Sequence, residues 1–538
     1  MPDGADTFDY IVTGAGSAGA AVAARLSESG RHRVLLLEAG GRDSNHWIHI
    51  PIGFARTFID PTVNWKFESA PQPGLANRQL YLPRGKTLGG TSSINGMVYI
   101  RGNPADYDEW RQRGCEGWDW DSVLPYFKKA ENQERGANEF HATGGPLHVS
   151  DHPPGFELAD AMLAACEQAG IPRNPDFNGA VQEGCGFYQT TTSNKRRWST
   201  AKAYLEPARG RANLEVRTGA HATKVLIEND RAVGVEYRSA AGTRTARASA
   251  EVIVSGGAYG SPQLLLLSGL GPAEHLREMG VAVLRDIPAV GGNLHDHFNT
   301  YLSWRCAKAI TLNDLENSWS RKILAAAEYG LFRKGPMSSN GIHAGLFTRS
   351  DPRLERPDLQ VNLLEWSTLE RTKDRVIPHP FPGFTLSPVH LRPDGRGTVR
   401  LGSPDPLAPP RISFDFLRTD YDMNAIVTGI RLVRKIAGQP AFKPYIVEEL
   451  APGPGVVSDA DMAEYVRQTG VSNHHPSSSC AMGSGPNTVV DPRLRVHGVA
   501  GLRVADASIM PVLTSGNTNA PSIMIGEKAA AMILEDAA

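Results

Sequence analysis

Two short apolar segments, separated by a run of small residues, lie near the start of the chain. Phe8–Val12 and Val34–Leu37 each have the length and apolar content of a buried strand. Residues 18–29 between them are rich in alanine and contain no proline, which predicts a helix. A strand, a helix and a second strand in this order predict a βαβ unit with parallel strands.

Glycines at the end of the first strand indicate what this unit binds. Three glycines with GxGxxG spacing allow a tight turn, close approach of the backbone to a pyrophosphate and close helix–strand packing. Free N–H groups at the helix start can bind the phosphates, and Glu38 can accept hydrogen bonds from a ribose diol. The predicted dinucleotide contacts in this unit are Gly14, Gly16, Ser17, Ala18, Gly19, Glu38 and Ala39.

Later segments have weaker patterns. Residues 383–416 predict two strands around the turn Pro393–Gly397, with the odd-numbered residues from Thr385 to Leu391 on one face. The segments Ile48–Pro71 and Trp366–Pro382 are irregular, and we interpret them as covers over an active site. No internal repeat or low-complexity run occurs in the sequence.

Composition excludes several classes of protein. The chain has 538 residues and a net charge of −1, which argues against a nucleic-acid binder that neutralises many phosphates. A hydrophobic content of 41% with 21% charged residues excludes a disordered or fibrous chain. The five cysteines are scattered and form no CxxC motif, so neither a metal site nor a disulfide framework is predicted.

Targeting and membrane signals are weak. The acidic N-terminal residues 1–6 do not resemble a secretory signal peptide, which begins with basic residues. The uncharged stretches Tyr10–Ala24 and Ala507–Gly526 are too short or too rich in proline, asparagine and glycine to be transmembrane helices. We therefore expect a cytoplasmic protein, and peripheral contact with the inner membrane stays open.

Further glycine-rich segments favour FAD over NAD as the dinucleotide. Residues 85–96 form a second loop with free backbone donors, and residues 257–262 and 290–297 add turn chemistry far along the chain. Sites spread this widely suit FAD, because its isoalloxazine ring lies far from the first pyrophosphate turn. The predicted contacts in the second loop are Gly85, Leu88, Gly89, Gly90 and Ser92.

These segments together resemble the glucose–methanol–choline (GMC) oxidoreductases, which are FAD-dependent. Residues 85–108 and 257–271 fit two motifs of that family, and Gly501–Pro511 with Asn517–Pro521 is similar to its closing segment. The resemblance extends from Phe8 to about Ile533. Within the family it is closest to bacterial FAD-dependent alcohol dehydrogenases of the L-sorbose and choline dehydrogenase type.

The resemblance implies an α/β fold, α+β overall, with two discontinuous domains. A doubly wound, Rossmann-like FAD domain would comprise residues 1–155, 213–307 and 471–538. A substrate domain with a mainly antiparallel sheet flanked by helices would comprise residues 156–212 and 308–470.

Alcohol oxidation needs a base for the hydroxyl proton while a hydride passes to flavin N5. A neutral imidazole suits the proton, because its ordinary pKa lies near physiological pH. The resemblance implies that His475 is this base and that Asn519 pairs with it around the substrate oxygen. An ordinary capping role at the start of the last helix suits Asn517 better than Asn519. The roles of Asn517 and His474 stay open.

The resemblance also implies further cofactor contacts. Some relatives attach FAD covalently through a histidine just before the asparagine at position 95, where this chain has Ile94. We therefore expect non-covalent FAD. Ala222 would bind adenine through its backbone, and the contacts implied around the flavin and its ribityl–pyrophosphate chain are Asn95, Gly96, Met97, Asp506, Ala507, Asn519 and Ala520.

The function implied is oxidation of a primary alcohol, polyol or sugar-like alcohol to an aldehyde or ketone. The electron acceptor would be quinone-like; the first alternative is an oxidase that passes electrons to oxygen and forms hydrogen peroxide. A second alternative is a lyase or photochemical enzyme on the same scaffold. Choline as substrate would need an aromatic cage with an acid, for which Glu365–Trp366 is the one suggestive pair.

Overall fold

The computed structural model describes residues 6–538. Residues 1–5, most of the acidic start considered above, lie outside this range. None of the helices in the described part of the chain is long and apolar enough to cross a membrane.

The first sheet has seven strands and contains the predicted βαβ unit. Its strands Thr7–Thr13 and Val34–Glu38 are parallel, and the helix Ser17–Leu26 connects them. In spatial order the strands are Leu214–Thr218, Val34–Glu38, Thr7–Thr13, Gly242–Val254, Arg231–Ser239 and His221–Glu228, with Leu502–Val504 also paired to Gly242–Val254. The pairs among the last three strands of this order are antiparallel and the remaining pairs are parallel.

The second sheet has eight strands, all paired antiparallel. Its central strand Gly383–His390 is buried along its whole length. In spatial order the strands are Ile446–Ala451, Leu302–Cys306, Gly383–His390, Leu359–Leu364, Ala344–Thr348 and Gly184–Phe187, with Phe298–Asn299 and Val471–Ser472 joined at the side. The predicted combination of a Rossmann-like sheet with an antiparallel sheet is confirmed.

Helices cover both sheets, and short strand pairs complete the fold. The helices are Ser17–Leu26, His46–His49, Phe54–Thr57, Pro104–Gln112, Trp120–Ala130, Glu157–Gln168, Glu206–Ala208, Gly257–Leu267, Ala273–Glu278, Leu312–Glu316, Trp319–Phe332, Asp420–Ala437, Asp459–Thr469 and Asn519–Asp536. The short pairs are Phe67–Glu68 with Tyr81–Leu82, Glu131–Gln133 with Leu147–Val149, Thr192–Ser193 with Arg196–Arg197, Leu270–Gly271 with Arg285–Asp286, Thr368–Arg371 with Val376–Pro378, and Thr398–Arg400 with Arg411–Ser413.

The domain boundaries stay a prediction, but some strands near them differ from it. Leu302–Cys306 and Val471–Ser472, assigned above to the FAD domain, pair within the second sheet. The hydrophobic core likewise has two main parts, one around each sheet. Any boundary drawn by sheet membership therefore lies before Phe298 and after Ser472.

Candidate active site

The glycine turn after the first strand has the geometry that its sequence predicts. Gly14 takes a left-handed backbone conformation (φ 93°), and a Cβ atom there would lie 2.4 Å from the Ser255 carbonyl oxygen. A Cβ on Gly19 would lie 2.0 Å from the Gly14 carbonyl oxygen. A Cβ on Gly16 would meet no atom within 4 Å, because this residue borders open space. Two glycines therefore permit the tight turn, and the third leaves room for a ligand.

Glu38 lies at the end of the second strand, beside this turn. Its carboxylate accepts hydrogen bonds from the backbone N–H groups of Ala15 (2.9 Å) and Gly40 (2.8 Å). Burial raises the pKa of Glu38 to about 7, although these N–H groups favour its charged form. Hydroxyl groups of a ribose would add donors to a carboxylate that burial has deprived of water.

One cavity of about 720 Å³ extends from the glycine turn to His475. It is lined by residues from segments that are distant in the sequence, as expected for a long dinucleotide. The predicted contacts that line it are Gly14, Gly16, Ser17, Ala18, Glu38, Ala39, Gly85, Gly90, Asn95, Gly96, Met97, Ala222, Asp506, Ala507 and Asn519.

Five predicted contacts lie behind the wall of the cavity: Gly19, Leu88, Gly89, Ser92 and Ala520. The Gly89 N–H donates to the Ala15 carbonyl (2.8 Å), and the Ser92 hydroxyl donates to the Gly89 carbonyl (2.6 Å). The first bond holds the second loop against the first, and the other bond braces the second loop internally, so Gly89 and Ser92 support the cavity wall.

The residues present fit FAD. The two glycine-rich loops touch, since a Cβ on Gly90 would lie 2.7 Å from Gly16 Cα. Thr13 lines the cavity, and its buried hydroxyl has no hydrogen-bond partner among the described residues. Donors, a ribose acceptor and open space thus surround one end of the cavity, while an imidazole lies at the other.

His475 is held from both sides of its ring. His475 Nδ1 lies 2.9 Å from His297 Nδ1, and the Asn517 amide nitrogen lies 3.2 Å from His475 Nε2. Removal from water and, to a smaller extent, the positive charge of Arg84 lower the pKa of His475 to about 3. The imidazole is therefore neutral at physiological pH. With the Asn517 amide donating, Nε2 is the unprotonated nitrogen and Nδ1 carries the proton. His297 Nδ1 (2.9 Å) and the Asn473 side-chain amide (3.3 Å) are the groups near this proton.

The backbone around His475 is fixed by a buried acid and an arginine. Asp296 accepts the His475 N–H (2.7 Å) and the Ser472 hydroxyl (2.5 Å), and burial raises the pKa of its carboxyl to about 7. His474 takes a left-handed conformation (φ 63°), and Arg84 donates to its carbonyl (2.5 Å). The His474 ring lines the cavity, where its edge faces the Phe58 ring.

The structure corrects the predicted pairing of Asn519 with His475. Asn519 is the first residue of the last helix, and its side-chain oxygen accepts a hydrogen bond from the Ser17 hydroxyl (2.7 Å), at the glycine turn. Asn517 contacts His475 instead. The capping role considered for Asn517 is not observed, because the residue before the helix is Thr518 and no side chain caps this end. The two asparagine side chains thus have different partners, Asn517 at His475 and Asn519 at Ser17.

The two irregular segments line the cavity and contact each other. The Phe54 and Trp366 rings lie 5.8 Å apart, and the Arg371 guanidinium lies 4.3 Å from the centre of the Phe58 ring. Ion pairs of Lys66 with Asp374 (2.8 Å) and of Lys373 with Glu68 (2.6 Å) join the same segments at the surface.

Comparison with known proteins matches this architecture to one family. The family profiles of the GMC oxidoreductases match residues 8–299 and 393–526. The chain belongs to the GMC oxidoreductase family. It is 42% identical over 530 residues to an alcohol dehydrogenase [acceptor] of Pseudomonas putida, covering 98% of this chain and 96% of the relative.

Two further comparisons extend this result. An oxygen-dependent choline dehydrogenase of Rhizobium rhizogenes is 43% identical over 531 residues, covering 98% of this chain and 95% of the relative. A formate oxidase of Aspergillus oryzae RIB40, solved to study modification of its FAD, superposes with a TM-score of 0.92 at 26% identity. That match covers 99% of this chain and 98% of the oxidase.

This GMC oxidoreductase is FAD-dependent and acts on CH–OH groups. Sequence reasoning singled out the glycine turn and His475. It missed the contacts of His297, Asn473 and Asn517 with the imidazole and of Asp296 with the His475 backbone N–H. The polar run from Asn293 to His297 was a signal for Asp296 and His297, both of which are buried. For Asn517, the GMC motif alone did not distinguish two asparagines two residues apart.

Proposed function

We propose that this GMC oxidoreductase oxidises an uncharged alcohol to an aldehyde or ketone, with His475 as the base and Asn517 as its partner. The observation that carries the proposal is the position of His475 Nε2 beside the Asn517 amide, in the cavity that also contains the glycine turn. Bound FAD would accept the hydride that leaves the alcohol carbon.

The proposed proton transfer follows from the partners of the ring. An alcohol oxygen near Nε2 can give its proton to the neutral imidazole and accept a hydrogen bond from the Asn517 amide. His297 accepts from Nδ1, which keeps the lone pair on Nε2 and stabilises the imidazolium that forms. His297 is thus a positioning residue in this proposal.

Cations near the base favour an alcohol that develops negative charge. The positive charge of Arg84 acts on both His474 and His475, and the charge of Arg371 acts on His474. An alkoxide would be stabilised there, whereas a quaternary ammonium would be repelled.

Choline is the second candidate, favoured by the 43% identical relative and by aromatic rings in the cavity wall. Its ammonium group would need a facing acid. Glu365 does not line the cavity among the described residues, and its carboxyl contacts His343 Nδ1 (2.8 Å). Burial raises the pKa of Glu365 well above its ordinary value, so the group is poorly suited to bind a cation. We therefore rank choline below uncharged alcohols.

Anaerobic flavin reduction tests the substrate class. The holoenzyme is mixed without oxygen with primary aliphatic alcohols, benzyl alcohol, polyols and choline, and the flavin absorbance is followed. We expect uncharged alcohols to reduce the flavin at least about tenfold faster than choline at equal concentration. Faster reduction by choline would overturn the ranking, and no reduction by any alcohol would overturn the proposed function.

The acceptor is tested by reoxidation of the same reduced enzyme. By analogy with the relative named alcohol dehydrogenase [acceptor], we expect a quinone dye to reoxidise the flavin at least about tenfold faster than dissolved oxygen. Equal rates, with hydrogen peroxide formed in step with product, would contradict this and indicate an oxidase.

A further inference from the structure

The helix Trp319–Phe332 exposes a large apolar face. Ala325 and Tyr329 are its buried residues, so it rests on the protein along one narrow edge. Five of its large side chains are mostly exposed: Trp319 (80%), Ile323 (67%), Leu324 (69%), Leu331 (75%) and Phe332 (66%). They are five of the fourteen exposed large hydrophobic residues found in the described chain, and the other nine are scattered along the sequence.

The pattern of this helix is that of an amphipathic helix turned outward. With 3.6 residues per turn, Trp319, Ile323, Ala327 and Leu331 share one side, opposite the buried edge at Ala325 and Tyr329. A soluble protein normally turns such an apolar stripe toward its core. An exposed apolar face of this width marks a surface for a partner or a membrane.

Basic residues surround this face. Residues 319–334 contain four cations (Arg321, Lys322, Arg333 and Lys334) and one acid (Glu328), a net charge of +3, while the whole chain has −1. Lys322 lies over the Trp319 ring (5.3 Å from its centre), at the edge of the apolar surface. An apolar face with tryptophan and flanking cations is suited to the interface of an anionic lipid bilayer.

Charge also argues against a second copy of the chain as the occupant. A twofold interface would pair this patch with itself and bring a net +3 segment against an identical one. Anionic lipid headgroups supply the opposite charge. We infer that this helix docks the enzyme on the surface of an anionic membrane, with its axis in the plane of the bilayer interface.

Docking would bring the substrate cavity close to the lipid. Asn317, just before the helix, donates from its amide to the His379 carbonyl (2.8 Å), and Asn313 donates to the Ser367 carbonyl (2.9 Å). Ser367 and His379 flank the strand pair formed by Thr368–Arg371 and Val376–Pro378. Arg371 of this pair and the nearby Trp366 line the cavity. Apolar alcohols or lipid-soluble acceptors dissolved in the bilayer would then have a short path to the site.

Vesicle flotation of the holoenzyme tests the inference. We compare vesicles of phosphatidylcholine alone with vesicles that also contain phosphatidylglycerol, and expect stronger binding to the second, weakened by high salt. The variant Trp319→Ser/Ile323→Ser/Leu331→Ser should lose at least about tenfold in binding. Arg321→Gln/Lys334→Gln should lose about fivefold per cation on anionic vesicles and little on neutral ones.

A matched control uses exposed valines elsewhere. Val447→Ser/Val457→Ser changes apolar side chains of similar exposure far along the chain and should bind vesicles like the wild type. All variants should retain FAD and reduce it with a water-soluble alcohol at the wild-type rate, which shows that they are folded.

Three outcomes would overturn the inference. The first is no flotation of the wild type, and the second is equal flotation of the triple serine variant. The third is a concentration-dependent dimer in sedimentation, lost in that variant and without vesicle binding, which would assign the face to a second copy.

Discussion

At the residue scale, the environment of His475 combines the two opposite requirements of the base that we propose it to be. The ring must be neutral to accept a proton, and loss of hydration together with Arg84 lowers its pKa to about 3. The imidazolium formed in the proposed reaction would still need to be stabilised, and His297 Nδ1 could accept the hydrogen bond of its Nδ1–H group. The partners of the ring thus determine which nitrogen is free for the substrate.

The first prediction concerns pH. Because the folded-state pKa of His475 is depressed, the base is already deprotonated at neutral pH. The rate of flavin reduction by an alcohol should be constant from about pH 5 upward and fall only as the pH approaches the pKa. Stopped-flow rates across this range test it. A rising limb with a midpoint near the ordinary histidine value of about 6.5 would contradict it.

The second prediction separates the two asparagines with a matched pair of variants. Asn517→Ala should slow flavin reduction by about 10²–10³, because it removes a donor near the developing alkoxide, and should leave FAD content unchanged. Asn519→Ala removes the acceptor of the Ser17 hydroxyl at the glycine turn, so weaker FAD retention should be its main effect. The opposite result, with slow chemistry in Asn519→Ala and a near-normal rate in Asn517→Ala, would restore the pairing implied by the sequence.

At the element scale, local pattern predicted some segments well and others poorly. Phe8–Val12, the alanine-rich helix and Val34–Leu37 correspond closely to observed elements, because apolar runs and glycine spacing are local signals. Residues 383–390 were predicted to pair with a strand beyond the turn at Pro393–Gly397. They pair instead with Leu302–Cys306 and Leu359–Leu364, and both of their faces are buried. Alternation along one strand cannot reveal such distant partners.

The last helix, Asn519–Asp536, packs closely on the helix of the βαβ unit. A Cβ on Gly526 would lie 2.5 Å from the Ala18 carbonyl oxygen and 3.0 Å from Ala21 Cβ. The buried Glu527 accepts from Arg25 (2.9 Å), which joins the same two helices, and also from Tyr204 (2.8 Å). The start of the helix that we predict to bind the phosphates therefore packs directly on the last helix.

The third prediction uses two helical glycines. Gly526→Ala should lower the free energy of unfolding by about 1–3 kcal/mol, because the methyl group overpacks the contact, and should weaken FAD binding. Gly330→Ala lies in a helix where a Cβ meets nothing within 4 Å, and should raise stability by about 0.5–1 kcal/mol. Denaturant unfolding of both variants measures this. Equal effects would show that the contact with Ala18 is not tight.

At the scale of the whole molecule, one cavity collects residues from nearly the entire chain. Thr13 and Ser522, more than 500 residues apart, both line it, together with residues of both large sheets such as Ala222 and Ser387. The sequence predicted the family and the cofactor because glycine motifs carry chemistry locally. It did not predict the contact of His297 with His475, since that contact depends on how the second sheet places two remote segments.

A bound cofactor in such a cavity should stabilise the whole fold reversibly. Ile94 lies in the cavity wall where some relatives have a linking histidine, so acid precipitation should release intact FAD into the supernatant. The apoprotein should melt at a lower temperature and return to the holoenzyme value when FAD is added. Mass action gives about 2.7 kcal/mol at a hundredfold excess over Kd. Flavin absorbance that stays with the precipitated polypeptide would contradict non-covalent binding, and equal melting temperatures would show that FAD does not connect these segments.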